Sequence, residues 1–121
     1  MKKYLAFSLI IISLVIIVQN NLLYAQPSLR DPNLTVESFV SGISFPTSML
    51  FLDENNILVL EKDGNVRLVS NGMLQAQPLV SLTVDTKNER GLLGAERVGE
   101  SVFLYATVKD GEGINRIYKY T

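Results

Sequence analysis

The hydrophobic pattern divides the chain into two unlike parts. From Tyr4 to Val18 the residues are apolar, broken only by Ser8 and Ser13, and Lys2 and Lys3 precede them. A short apolar run behind N-terminal positive charge has the form of a secretory signal, with the lysines held on the cytoplasmic side. The run is short for a spanning helix, which takes about 20 apolar residues. Leu23-Tyr24-Ala25 before Gln26 is an imperfect cleavage site, because Leu23 is large. Residues 1–25 are therefore expected to form a hydrophobic helix that is either a cleaved signal peptide or an uncleaved membrane anchor. A buried core helix is the remaining alternative.

After Ala25 no helical period of useful length recurs. Residues 26–33 hold Pro27 and Pro32 without periodicity, which reads as a linker; Leu34, Val36 and Phe39-Val40 then make a first β-rich stretch up to Ser41-Gly42. Strands are predicted over Ser48–Leu52, Ile57–Glu61, Val66–Ser70, Leu79–Val84, Val102–Val108 and Arg116–Tyr120, from their β-branched and aliphatic runs between polar turns. Asp53-Glu54-Asn55-Asn56 and Asp110-Gly111-Glu112-Gly113 are two of those turns. Asp63-Gly64 is the clearest local signal, the dipeptide of a tight hairpin, and Asn71-Gly72 is a second of its kind. Aspartate and asparagine tolerate positive φ, and glycine adopts it without a Cβ clash.

Six or seven short strands with a turn about every ten residues predict an all-β sandwich, barrel or propeller. The four strands between Ser48 and Val84 fit one propeller blade, typically roughly 40–45 residues. A propeller closes with at least about four blades, so this chain is expected to supply the first one to two blades of a longer protein. A complete small β-sandwich is the alternative.

Composition sharpens the exclusions. The sequence has 11 Lys+Arg, 12 Asp+Glu, no His and no Cys. Without residues 1–25 the balance is nine against twelve, a net charge of −3. That leaves no basic footprint for nucleic acid or an anionic membrane surface, so any membrane contact is expected through the N-terminal segment alone. Disulfides and thiolate metal sites are excluded, and with histidine absent so is the commonest general base and metal ligand. Gly91-x-x-Gly94 is not a phosphate loop, since no glycine-rich run joins a strand to a helix. Both glycines, like Asp63 and Gly64, are expected to serve turn conformation.

Three stretches together resemble the start of the soluble quinoprotein glucose/sorbosone dehydrogenase family. They are Phe45-Pro46-Thr47-Ser48-Met49 with Phe51-Leu52 behind Gly42-Ile43, the hairpin Ile57-Leu58-Val59-Leu60-Glu61-Lys62-Asp63-Gly64-Asn65-Val66, and Glu89-Arg90-Gly91-Leu92-Leu93-Gly94. Order and spacing agree across residues 42–121. The segment Ala95-Glu96-Arg97-Val98-Gly99-Glu100-Ser101 departs from the family pattern, lacking its proline and phenylalanine. The likeness resumes at Val102–Thr107 and at Asn115–Tyr120.

The resemblance implies a six-bladed β-propeller that binds pyrroloquinoline quinone, often with Ca2+, at one end of its channel. Such enzymes oxidise a sugar hydroxyl, frequently the aldose C1–OH, and pass electrons to an external acceptor. A histidine takes the hydroxyl proton while hydride goes to the quinone. That base and most cofactor contacts are expected beyond Thr121, so no catalytic residue and no metal ligand is expected here, and residues 26–121 alone are expected to be inactive. By the same resemblance Glu89 sits where a side chain hydrogen-bonds near sugar and quinone. A carboxylate there accepts from sugar hydroxyls, and the Arg90 guanidinium can pair with a quinone carboxylate. The plain alternative is that Glu89 and Arg90 pair with each other or with a neighbouring blade. The function expected is an exported sugar dehydrogenase working outside the cytoplasm or anchored by residues 4–25; the alternative is a non-catalytic extracellular propeller module.

Overall fold

A computed structural model describes residues 29–121, so the hydrophobic helix expected at 1–25 lies outside the described residues. Contacts divide the chain into two units at Glu37 and Ser38. In the first, the Asn33 amide donates to Asp31 Oδ1 at 2.9 Å and the Leu34 amide to the Asp31 carbonyl at 3.3 Å, an Asx turn. The second, Ser38–Thr121, holds every described strand, and all pairing is antiparallel. No helix occurs among the described residues.

Its strands are β1 (Pro46–Phe51), β2 (Asn56–Glu61), β3 (Asn65–Ser70), β4 (Met73–Leu74), β5 (Val80–Ser81), β6 (Leu92–Val98), β7 (Ser101–Val108) and β8 (Ile114–Tyr120). The first sheet runs β1-β2-β3, with β4 and β5 both beside β3; the second runs β6-β7-β8. The strand expected over 79–84 is shorter than its apolar run. The whole 73–81 segment runs antiparallel to β3, with β4 at the Ser70 end and β5 at the Asn65 end. Pro78 stands between them and has no N–H for the ladder.

Register explains the core. Leu50, Leu58 and Leu68 align across the first sheet, as do Ser48, Leu60 and Val66. Side chains two apart share a face, and this face meets Leu92, Leu104 and Ala106 of the second sheet. Leu60, Leu92 and Ala106 are fully buried there.

Three expectations change. Residues 34–40 form no strand; Phe39, Val40 and Ile43 instead line a groove on the outer face of the first sheet with Met49, Ile57 and Val59. The Asp63-Gly64 turn is a three-residue loop rather than a two-residue one: the Gly64 amide donates to the Glu61 carbonyl at 3.0 Å, and only Gly64 has positive φ, at 107°. That is the type I turn with a glycine bulge. Gly94, expected in a turn, lies inside β6, because the segment 92–98, not read as a strand, pairs with β7 through a bulge between Leu92 and Gly94. Asn71 and Gly72, with φ of 51° and 75°, make the expected tight hairpin.

Candidate functional site at one end of the two sheets

Antiparallel order sends alternate loops to opposite ends. Loops 42–45, 62–64, 82–91 and 109–113 gather at one end, while 52–55, 71–72 and 99–100 close the other. The first end carries Glu89, Arg90, Gly91, Asp63 and Gly64 together. Both strand bulges also lie there, at Thr47 in β1 and at Leu93 in β6. Bulges concentrate beside functional sites, where they re-aim side chains. The Thr47 hydroxyl ties the two sheets, donating to the Leu92 carbonyl at 2.7 Å.

Loop 82–91 is fastened at its neck. The Asp85 amide donates to the Thr107 carbonyl at 2.9 Å, and the Thr107 amide donates to the Gly91 carbonyl at 2.9 Å. Between these ties the Lys87 amide donates to Asp85 Oδ1 at 3.0 Å and the Arg90 amide to the Lys87 carbonyl at 3.2 Å. Asn88 takes the left-handed conformation at φ 55°, tolerable for asparagine. From the facing hairpin, Lys62 Nζ donates to the Asn88 carbonyl at 2.6 Å.

Glu89 and Arg90 do not pair with each other. Arg90 Nη1 donates to Asp85 Oδ2 at 2.6 Å, with the arginine side chain 40% and the aspartate 20% exposed. The Asp85 carboxyl is held below its usual range, first by the Lys87 amide and next by Arg90. Gly113, from loop 109–113, lies over this pair: a Cβ there would stand 2.7 Å from Arg90 Nη1 and 2.8 Å from Asp85 Oδ2. Glu89 is exposed, and among the described residues its carboxylate makes no hydrogen bond or ion pair.

Beside the loop, Phe45, Lys62, Asp63 and Thr86 line a cavity of about 290 Å³. Phe45 is 80% exposed and has φ 43°, an uncommon conformation for a bulky residue. The approach to β1 is pinned by Glu61, which is buried: the Ser44 amide donates to its Oε1 at 2.8 Å, Asn65 Nδ2 donates to Oε2 at 3.2 Å, and Arg67 Nη1 lies 3.5 Å from Oε1.

Sequence reasoning singled out Glu89 and Arg90 but missed Asp85, Thr107, Gly113 and the anchoring role of Glu61. A charged residue closing the buried run Leu58-Val59-Leu60 was a usable signal for Glu61. Nothing local marked Asp85 or Gly113, whose roles depend on contacts between separate loops. Among the described residues no group of three or more His, Cys, Asp or Glu side chains is placed to hold a metal ion.

The class defined is an all-β protein of stacked antiparallel sheets with polar loops collected at one end. A solved structure from Thermus thermophilus, provisionally described as an oxidoreductase (glucose dehydrogenase), is similar to this chain at 30% identity with a TM-score of 0.61. The match covers 69% of this chain and 26% of that one, so the chain spans about a quarter of its length. This likeness supports the general family expected from the Glu89–Gly94 segment. Neither the protein-family models nor the curated proteins give a match.

Proposed function

We propose that the chain is the opening portion of an exported sugar dehydrogenase, the first one to two blades of a six-bladed propeller, in which the loop end recognises an aldose. The observation that carries this reading is the 30% identity, at a TM-score of 0.61, to a glucose dehydrogenase-type oxidoreductase. The loop chemistry suits the task. An unpaired carboxylate at Glu89 accepts hydrogen bonds from sugar hydroxyls, and the exposed ring of Phe45 beside Lys62, Asp63 and Thr86 offers an apolar face for a pyranose. The signal or anchor at residues 1–25 would put this site outside the cytoplasm, where an external electron acceptor is reached.

Pyrroloquinoline quinone with Ca2+ is the redox group this reading carries, and no group of acidic side chains among the described residues is placed to hold the metal ion. Of the cations at this end, Arg90 is engaged by Asp85 and Lys62 by Asn88, while the Lys87 and Lys109 ammonium groups have no side-chain partner among the described residues. With no histidine in the sequence, the family's usual base is absent as well. The described residues are therefore assigned recognition and positioning of the sugar. The full-length protein, supplied with the quinone and Ca2+, should reduce an electron-acceptor dye with an aldose, and residues 26–121 should not exceed a quinone-only control. Full-length protein without turnover on any aldose would reject the enzyme. The second reading, a sugar-binding module, would then stand if binding persisted.

A further inference from the structure

Three features hold the Asp85 carboxylate against Arg90. The neck ties to Thr107 fix the loop path, the Lys87 amide orients Oδ1, and Gly113 leaves room above the ion pair. The side chain next to Arg90 in sequence is Glu89, an exposed carboxylate with no partner among the described residues. An arginine beside a carboxylate forms a charge-assisted hydrogen bond when nothing else engages it. Such a bond would use up the acceptor lone pairs that a hydroxyl ligand needs.

We infer that Asp85 is a positioning residue that sequesters the Arg90 guanidinium, keeping the Glu89 carboxylate unpaired and open to a polyhydroxylated ligand. The inference rests on the sugar-recognition reading for its ligand, but not for the contact itself. It gives Arg90 a part different from binding an anion: the arginine stiffens the loop from below and is kept off the ligand face. It also assigns Gly113 a reason for lacking a side chain, since a Cβ would press on both partners at once. Loop 109–113 thereby reports on the same contact from the second sheet.

The test uses the full-length protein and D-glucose, with binding followed by NMR titration. Glu89→Gln should weaken binding about tenfold, the scale of one lost charge-assisted hydrogen bond. Asp85→Asn should weaken it by a similar factor, because Arg90 turns to Glu89. The double variant Asp85→Asn with Arg90→Gln should recover affinity to within about twofold of wild type, since the competitor is gone. A merely structural role for Asp85 predicts no such recovery. Arg90→Gln alone should leave binding near wild type; a loss matching Glu89→Gln would make Arg90 a ligand contact and overturn the proposal. A ligand-free arm separates the contact from the function: cross-relaxation between the Arg90 and Glu89 side chains should appear in Asp85→Asn and be absent in wild type. Its failure to appear rejects the proposal whatever the ligand. Its appearance with no D-glucose binding in wild type upholds the sequestration and rejects the sugar reading.

Discussion

Gly91 and Gly94 look equivalent in the sequence and should respond oppositely to alanine. Gly91 has φ 147°, and a Cβ there would stand 2.5 Å from the Lys62 carbonyl oxygen and 2.8 Å from its Cγ. Forcing alanine into such a conformation costs about 1–3 kcal/mol. The clash is with backbone, so Gly91 must move away from the hairpin. Two ties then go: the Leu92 amide to the Lys62 carbonyl, 3.1 Å, and the Thr107 amide to the Gly91 carbonyl, 2.9 Å. Each is worth about 1 kcal/mol, giving a total of about 4 kcal/mol. Gly94 has no positive φ, and its Cβ would meet Tyr105 Cβ at 3.8 Å, an ordinary contact. Gly94→Ala should therefore be neutral, or stabilise by about 0.4–1 kcal/mol through the unfolded chain. Native-state hydrogen exchange on the full-length protein reads both. Gly91→Ala should speed exchange of the Leu92 and Thr107 amides about a thousandfold, as that energy implies. The Asn71 amide, bonded to the Asn55 carbonyl at the opposite end, should be unchanged. Equal effects of the two variants, within tenfold, would refute the reasoning.

Leu60 is fully buried between the sheets, so Leu60→Ala should cost about 2–5 kcal/mol, against less than about 0.5 kcal/mol for exposed Met73→Ala, by urea denaturation. Asp85 and Asp53 both have carboxyls held below the usual value, Asp53 first by the Asn56 side chain and then by the Asn55 amide. A depressed carboxyl pKa stabilises the fold above the unfolded value, near 3.8, and that contribution disappears as pH falls through the lower folded value. Loop order read by amide exchange should thus hold above about pH 5 and fall in acid below the unfolded value; Asp85→Asn and Asp53→Asn should each flatten that slope, and an unchanged slope would deny the linkage. The outer faces carry exposed Met49 and Phe51 on the first sheet and Ile117 on the second. Purified residues 26–121 should accordingly self-associate or unfold without sharp cooperativity, and Phe51→Lys with Ile117→Lys should raise the monomer fraction by sedimentation. A sharp two-state transition of the unmodified monomer would favour the complete small sandwich instead.

Strands built from aliphatic runs between turn residues were legible, because β2, β3, β7 and β8 each pair with a neighbour close in sequence. Segment 92–98 was not. Its Leu-Leu-Gly-Ala-Glu-Arg-Val sequence lacks alternation, and its pairing with β7 includes a bulge that shifts the side-chain phase. Residues 34–40 misled in the opposite direction: Leu34, Val36 and Phe39 are apolar yet exposed and unpaired, and composition cannot separate such a stretch from a strand. For the candidate site, the setting of Glu89 before Gly91 marked it in the sequence, but its unpaired state was not legible there. Whether a carboxylate is paired depends on where the next guanidinium goes, and Arg90 is claimed by a residue five positions earlier in the chain.

The two ends of the sheets differ in a way that bears on function. At the far end the connections Asn71-Gly72 and Gly99-Glu100 are two-residue turns, the shortest that reverse a strand. At the near end, loop 82–91 crosses from the first sheet to the second and is fastened by Thr107, Lys62 and the Asp85–Arg90 pair. Ordering a loop costs backbone entropy of about 1–2 kcal/mol per residue; Val84 anchors the start of the loop in the apolar core, and these polar ties offset part of the cost for residues 85–91. Rigid loops on a packed scaffold are where recognition concentrates, and Glu89 stands at the exposed part of the most heavily tied of them.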